Sequence, residues 1–165
     1  MRVLSLVYVI KTKDVFGLVF NFVTFKVAPT KDLRKNVHEK YEKKTEKKLI
    51  PFGDGPFCEF KISTDYNKSG LYLYYSNGVL KYVGITVRPL YSRINEYGRI
   101  SPINCWTGGR HTNVKINHKI FKEIEKGCNV ELFFCEKDLP KTELELIEKR
   151  IINEYNPPWN ATGTS

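Results

Sequence analysis

At 165 residues the chain has the length of one ordinary domain, with room for an extension but not for two full domains. Its residues are 41% hydrophobic, 13% aromatic and 27% charged, a globular composition that excludes disordered, collagenous and coiled-coil proteins. Lys and Arg number 27 against 18 Asp and Glu, and the resulting formal charge of +9 predicts a polyanionic partner, either nucleic acid or an acidic membrane surface.

Arg2 followed by the apolar run Val3–Ile10 looks faintly like a signal peptide, but Lys11 and Lys13 follow it and no small-residue cleavage site appears, so the run reads as a strand. A second strand-like run, Val15–Val27, makes a hairpin with it across Lys11-Thr12-Lys13-Asp14. Pro29-Thr30 then introduces a charged helix to about Leu49 with a thin apolar stripe of Leu33, Val37, Tyr41 and Leu49. The turn chemistry of Pro51–Pro56 marks a seam, so residues 1–56 are expected to form an N-terminal extension and residues 57–165 the main domain.

In the main domain, Leu71–Ser76 and Val79–Ile85 are strands around Asn77-Gly78, and Pro89 precedes a helix to about Tyr97. A Gly-rich loop through Trp106-Thr107-Gly108-Gly109 leads to a helix from about Asn113 to Lys126, closed by Gly127. Val130–Cys135 is a strand, and a capping box at Thr142 and Glu145 opens a last helix to about Tyr155. This order predicts an α+β protein, a small antiparallel sheet flanked by helices, with an N-terminal β-hairpin plus helix. No segment approaches the roughly 20 apolar residues of a membrane helix. Cys58, Cys105, Cys128 and Cys135 lack metal-ligand spacing and read as reduced structural thiols, which places the chain in the cytoplasm.

The charge falls in blocks. Residues 1–50 carry net +7, residues 51–80 net −1, residues 81–122 net +7 with Glu96 the single acid, and residues 123–165 net −4. Tyrosines concentrate in the hairpin as Tyr72, Tyr74, Tyr75 and Tyr82. A two-residue Asn77-Gly78 turn would set Tyr72 opposite Val83. A three-residue Ser76-Asn77-Gly78 loop would set Tyr72 opposite Tyr82, with Cβ atoms roughly 5 Å apart. Turn chemistry alone leaves both registers open.

Gly70-Leu71-Tyr72, nine residues, then Tyr82-Val83-Gly84 resembles the paired signature of the GIY-YIG nuclease superfamily. Arg93 on the following helix, Tyr97 one turn beyond, Glu148 on the last helix and Asn160 near its end follow in the expected order. Leu71 and Val83 replace the name-giving isoleucines, and Tyr97 stands where many members carry His. The resemblance spans about residues 69–161 and favours the three-residue loop. It implies hydrolysis of a phosphodiester with one divalent cation, Mg2+ or in its place Mn2+, held by Glu148. Mg2+ takes few protein ligands and keeps several waters, which suits a single carboxylate.

In that scheme Arg93 pairs with phosphate oxygens. Tyr72 is the general base, and its ordinary pKa near 10 requires help from Lys81, Arg93, Tyr82 or the metal. Tyr97 either does acid–base work or holds a phosphate, and Asn160 fixes the chain end beside the site. The block at 81–122 supplies a DNA surface. Arg88, Arg99, Arg110, Lys115 and Lys119 are expected on phosphates, and Arg110, His111, Asn113 and Asn117 lie where they could reach base edges. His111 and His118 lack companion metal ligands.

The expected activity is that of a sequence-specific DNA endonuclease of Type II restriction kind. No separate DNA-binding module follows the catalytic part, as would be usual in a homing enzyme. Such an enzyme cuts both strands of double-stranded DNA as a homodimer and operates alongside a cognate DNA methyltransferase. The alternatives are a repair or mobile-element nuclease of the same type and a non-catalytic nucleic-acid-binding module.

Overall fold

The tyrosine hairpin forms the middle of the protein, and a single extra residue sets its register. In the computed structural model, which describes residues 11–29, 48–108 and 110–160, β5 (Gly70–Ser76) pairs with β6 (Val79–Thr86) around a two-residue turn. Asn77 (φ 48°) and Gly78 (φ 77°) both occupy the left-handed region that this turn demands. Ser76 faces Val79 and Tyr75 faces Leu80, after which a bulge at Lys81 shifts the pairing. Tyr74 then faces Tyr82, and Tyr72 faces Gly84.

Neither expected register is therefore correct. The Asn-Gly turn is the tight one that its chemistry favours, and the bulge inserts one unpaired residue behind it. The bulge places Leu80 on one face of the sheet and Tyr82 on the other, although the two are only two residues apart. Tyr72, Tyr74 and Tyr82 pack in one core cluster, while Leu80 packs with Tyr75 and Leu73 in the other.

Three more strands complete the sheet. β1 (Thr12–Val15) and β2 (Leu18–Val23) form a hairpin, β7 (Val130–Glu136) lies between β2 and β5, and the order β1-β2-β7-β5-β6 is antiparallel throughout. The first hairpin turns at Phe16-Gly17, not at Lys11–Asp14 as the sequence suggested. Phe16 (φ 54°) and Gly17 (φ 70°) take the turn conformation, and the Gly17 N–H donates to Asp14 Oδ1 at 3.1 Å. Thr12–Val15 is thus a strand whose Val15 is buried. The expected strand Val3–Ile10 lies outside the described residues.

The expected boundary at residue 56 does not divide the sheet, because β2 pairs with β7 from Asn21–Phe134 to Val23–Leu132. Pro29 ends a two-residue strand, β3 (Ala28–Pro29), which pairs with β4 (Cys58–Glu59), so the chain is extended where a helix was expected to begin. The remainder of that helix falls almost wholly on residues 30–47, outside the described set.

Helices cover both faces. On the tyrosine face lie α1 (Leu90–Tyr97), a short 3-10 turn (Pro102–Cys105) and α2 (His111–Glu125). Leu90, Ile94, Tyr97, Ile116 and Ile120 pack there against Tyr72, Tyr74, Leu132 and Phe134. On the opposite face α3 (Lys141–Tyr155) buries Leu144 and Ile151 against Leu71, Leu73, Val83 and Phe133. The capping box expected at Thr142 does not form. Pro140 precedes the first helical residue, so Thr142 is already inside the helix, and no side chain caps the end. Among the described residues no helix is long and apolar enough to cross a membrane.

Candidate active site

Tyr72 reaches across β6 over the backbone of Gly84, where a Cβ would run into its ring and hydroxyl. The hydroxyl meets that of Tyr97 from α1 at 2.7 Å. Tyr82 and Tyr74 close the cluster, with ring centroids 6.3 Å apart, and Tyr82 lies 6.3 Å from Tyr72. Tyr72 and Tyr82 thus share a face, as a joint function requires.

Arg93, one turn before Tyr97 on α1, closes over this pair. Its Nη2 donates to the Tyr97 hydroxyl at 2.7 Å and its Nε weakly to that of Tyr72 at 3.4 Å. Its Nη1 donates to Asn113 Oδ1 at 3.0 Å and Glu96 Oε2 at 3.2 Å. The guanidinium also lies 4.3 Å from the centroid of the Tyr97 ring, a cation–π contact. Arginine has no acceptor, so protons can pass among the tyrosine hydroxyls but not through Arg93. With Arg93 donating to Tyr97, the Tyr97 O–H is free to donate to the Tyr72 oxygen.

Burial pushes the Tyr72 hydroxyl above its ordinary pKa of 10.0, and the opposing charge of Arg93 does not cancel that effect. Burial likewise raises Tyr97 and Tyr82. At neutral pH the cluster is therefore a set of neutral phenols. Tyr97 is fully enclosed (0% exposed), and Tyr72 nearly so (1%). Tyr97 is bonded to both Tyr72 and Arg93. Lys81, expected to help Tyr72, is the bulge residue, and its charge acts on Glu123. The cation beside Tyr72 is Arg93.

Glu148 sits on α3 between the buried Leu144 and Ile151, and its charge is felt by both Tyr72 and Tyr82. Burial, with a smaller contribution from Glu145, pushes its carboxyl up to about 7. Among the described residues no hydrogen-bond donor or cation is bonded to it, and no group of three or more His, Cys, Asp or Glu is placed to share a metal. A half-buried carboxylate without a partner is a ligand that fits one hard divalent cation completing its shell with water.

The segment after α3 crosses the open edge of β6 onto the tyrosine face. Asn160 Oδ1 accepts the Val83 N–H at 2.9 Å and its Nδ2 donates to the Val83 carbonyl at 2.8 Å. The Trp159 N–H donates to the Lys81 carbonyl at 2.9 Å, and the Trp159 side chain joins the tyrosine cluster. Asn160 thus ties the chain end to β6.

The expected DNA-contacting residues separate into three groups. Arg88, Arg110 and His111 are exposed and line an open basin with Arg93, Thr112 and Asn113. Arg99 is exposed but lines a different groove, with Lys26 and Lys61. Lys115 and Lys119 are half-buried on α2, and Lys119 Nζ sits 5.3 Å from the Phe52 ring centroid.

Two assignments are corrected. Asn117 is fully buried: it accepts the Cys58 N–H at 2.9 Å and donates to the carbonyls of Cys58 at 2.8 Å and Tyr97 at 2.6 Å, so it reads no base. Asn113 is also buried (1% exposed) and orients Arg93. Helix α2 is covered by the sheet on one side and by residues 57–60 on the other, which leaves it less free surface than its sequence suggested.

Glu96 also belongs to this site. Glu96 Oε1 and Oε2 accept from Arg88 Nη1 and Nη2 at 2.9 and 3.0 Å, Arg110 Nη1 lies 2.8 Å from Oε1, and Arg93 adds a third guanidinium. Hydrogen bonds from Arg88, assisted by Arg110, hold its carboxyl down at about 2. The available signal was its place as the single acid of its block, three residues after Arg93.

No family model matches this sequence, and no curated relative is similar to it. Among solved structures, that of a mutant of bacteriophage T4 EndoII is similar at 25% identity, covering 77% of this chain and 98% of that chain with a TM-score of 0.42.

Proposed function

We propose that the chain is a divalent-metal-dependent DNA endonuclease of GIY-YIG type, acting as a sequence-specific Type II restriction enzyme on double-stranded DNA. The observation that carries this reading is the meeting of Tyr72, Tyr97 and Arg93, hydroxyl to hydroxyl at 2.7 Å and guanidinium to hydroxyl at 2.7 Å, with the unpartnered carboxylate of Glu148 acting on the same phenols. A binding module has no use for a half-buried carboxylate that raises the cost of its own fold.

Glu148 would hold the cation, Mg2+ or Mn2+, which when bound supplies Lewis-acid polarisation of the scissile phosphate. Arg93 donates to a non-bridging phosphate oxygen and stabilises the charge that grows there as water attacks phosphorus. Tyr72 accepts the proton of that water as the phenolate, a minor species at neutral pH, and the Tyr97 hydroxyl together with Arg93 Nε hydrogen-bonds its oxygen when it is charged. Asn113 keeps Arg93 aimed, and Asn160 keeps β6 and the last helix in register. Cutting two strands takes two such sites, so a homodimer is the working form.

The experiment is incubation of the protein with duplex DNA of varied sequence in Mg2+, Mn2+ or chelator, beside Glu148→Ala. Discrete fragments from the wild type with metal alone support the restriction reading. Unspecific degradation keeps the nuclease and removes the restriction role. Binding without cleavage in either metal overturns the enzyme and leaves a nucleic-acid-binding module.

A further inference from the structure

The basin beside Arg93 has an open volume of about 540 Å³, and its charged lining is made of arginines. Three guanidinium groups share one carboxylate, which leaves a local charge of +2. The arginines are not equivalent. Arg93 has 19% of its side chain exposed and is held by both hydroxyls, by Asn113 and by the Tyr97 ring, so it stays where it is. Arg88 and Arg110 are 46% and 60% exposed, from the loop before α1 and the residue before α2, and among the described residues their guanidinium groups bond to Glu96. Both guanidinium groups lie half in solvent, where salt screens their pairs with Glu96 and an incoming anion can reach them.

A carboxylate and a phosphodiester offer the same thing to such a pair: one negative charge spread over two oxygens, each able to take more than one N–H. Glu96 uses its two oxygens in this way, Oε1 toward Arg88 and Arg110, and Oε2 toward Arg88 and Arg93.

We propose that Arg88 and Arg110 form a clamp for a DNA backbone phosphate next to the scissile one, latched in the free protein by Glu96, and that both guanidinium groups pass from this carboxylate to the phosphate when DNA binds. The inference rests on the nuclease reading of the neighbouring site and adds to it a second phosphate subsite and a residue that restrains it. Glu96 touches no reacting atom. It lowers the affinity of the free protein for arbitrary polyanions and releases the clamp where a phosphate takes its place.

The test is duplex DNA binding by the full chain in chelator, so that no cleavage occurs, as a function of salt. The proteins are the wild type, Glu96→Gln, Arg88→Ala/Arg110→Ala and the triple variant, each first checked by thermal melting. With the carboxylate no longer holding the two guanidinium groups, Glu96→Gln should bind on the order of 3- to 10-fold more tightly at low salt. That gain should vanish in the Arg88→Ala/Arg110→Ala background. The arginine pair itself should lower the slope of log affinity against log salt by about 1, one phosphate contact.

Weaker or unchanged binding by Glu96→Gln overturns the latch and assigns Glu96 to holding Arg93. A gain that persists without the two arginines overturns it as well, since it would be a general charge effect. Absence of DNA binding by the wild type overturns the nuclease reading, and the latch with it.

Discussion

Asn160 pairs with Val83 as another strand would: its side-chain amide accepts the Val83 N–H at 2.9 Å and donates to the Val83 carbonyl at 2.8 Å. One side chain thereby takes the place of a strand at this part of the sheet's edge. Asn160→Ala should cost about 1–3 kcal/mol, because two backbone groups at a half-covered edge lose their partner. Asn160→Asp should be no better, since a carboxylate cannot donate to the carbonyl and repels it. Thermal melting of both variants checks this, and equal melting temperatures for wild type and Asn160→Ala would refute it.

Gly84→Ala introduces a methyl group where the Tyr72 ring already lies. Tyr72 must swing away from Tyr97 and Arg93, so stability should fall by about 1–3 kcal/mol and cleavage should be lost with it. DNA binding in chelator should be retained, because Arg88 and Arg110 are bonded to Glu96 and not to Tyr72. A variant that melts lower yet cleaves normally would show that the Tyr72 position is irrelevant to the chemistry.

Tyr97→Phe keeps the ring under Arg93 and removes only the hydroxyl that joins Arg93 to Tyr72. A half-buried donor then loses its partner, at about 1–2 kcal/mol. In the wild type the pH dependence follows from Tyr72: a base whose pKa burial has raised above 10.0 is increasingly ionised as pH climbs, so kcat/KM should rise about tenfold per pH unit above neutrality, with no plateau before pH 10. Tyr97→Phe should lower that line without changing its slope, whereas Tyr72→Phe should abolish it.

Glu148 gives a prediction of opposite sign for stability and activity. Its carboxyl stands at about 7 in the fold against 4.5 unperturbed, so the folded state prefers it protonated. Stability of the metal-free protein is highest below pH 4.5 as far as this group is concerned, and declines as pH rises through 7. Glu148→Gln should therefore be more stable than wild type at pH 8 in chelator, by about 1–2 kcal/mol after solvent screening, while losing cleavage entirely. Added Mg2+ should stabilise the wild type alone, and less so below pH 7, where a proton must leave first.

Much of this site is legible in the sequence because it is local. The tyrosine hairpin, the helical spacing of Arg93 and Tyr97, and the inward position of Glu148 all follow from short-range periodicity. What escapes is decided at a distance. The bulge at Lys81 serves two packing clusters at once, which no window of residues reveals. Asn113 and Asn117 read as a polar helix face until α2 is found enclosed by residues 57–60 and the sheet. Glu96 reads as the single acid in a basic block, yet its meaning depends on Arg88 and Arg110 arriving from separate loops.

The bulge also loosens a constraint that pattern matching treats as rigid. Were Lys81 deleted, the tight Asn77-Gly78 turn would continue into an unbroken ladder, and Tyr82, Val83 and Gly84 would keep their present partners Tyr74, Leu73 and Tyr72. The interval between the two tripeptides is therefore elastic by one residue at no change in which side chains meet. What the hairpin conserves is the sequence of faces, and a ruler of fixed length would overlook equivalent sites with a shorter span.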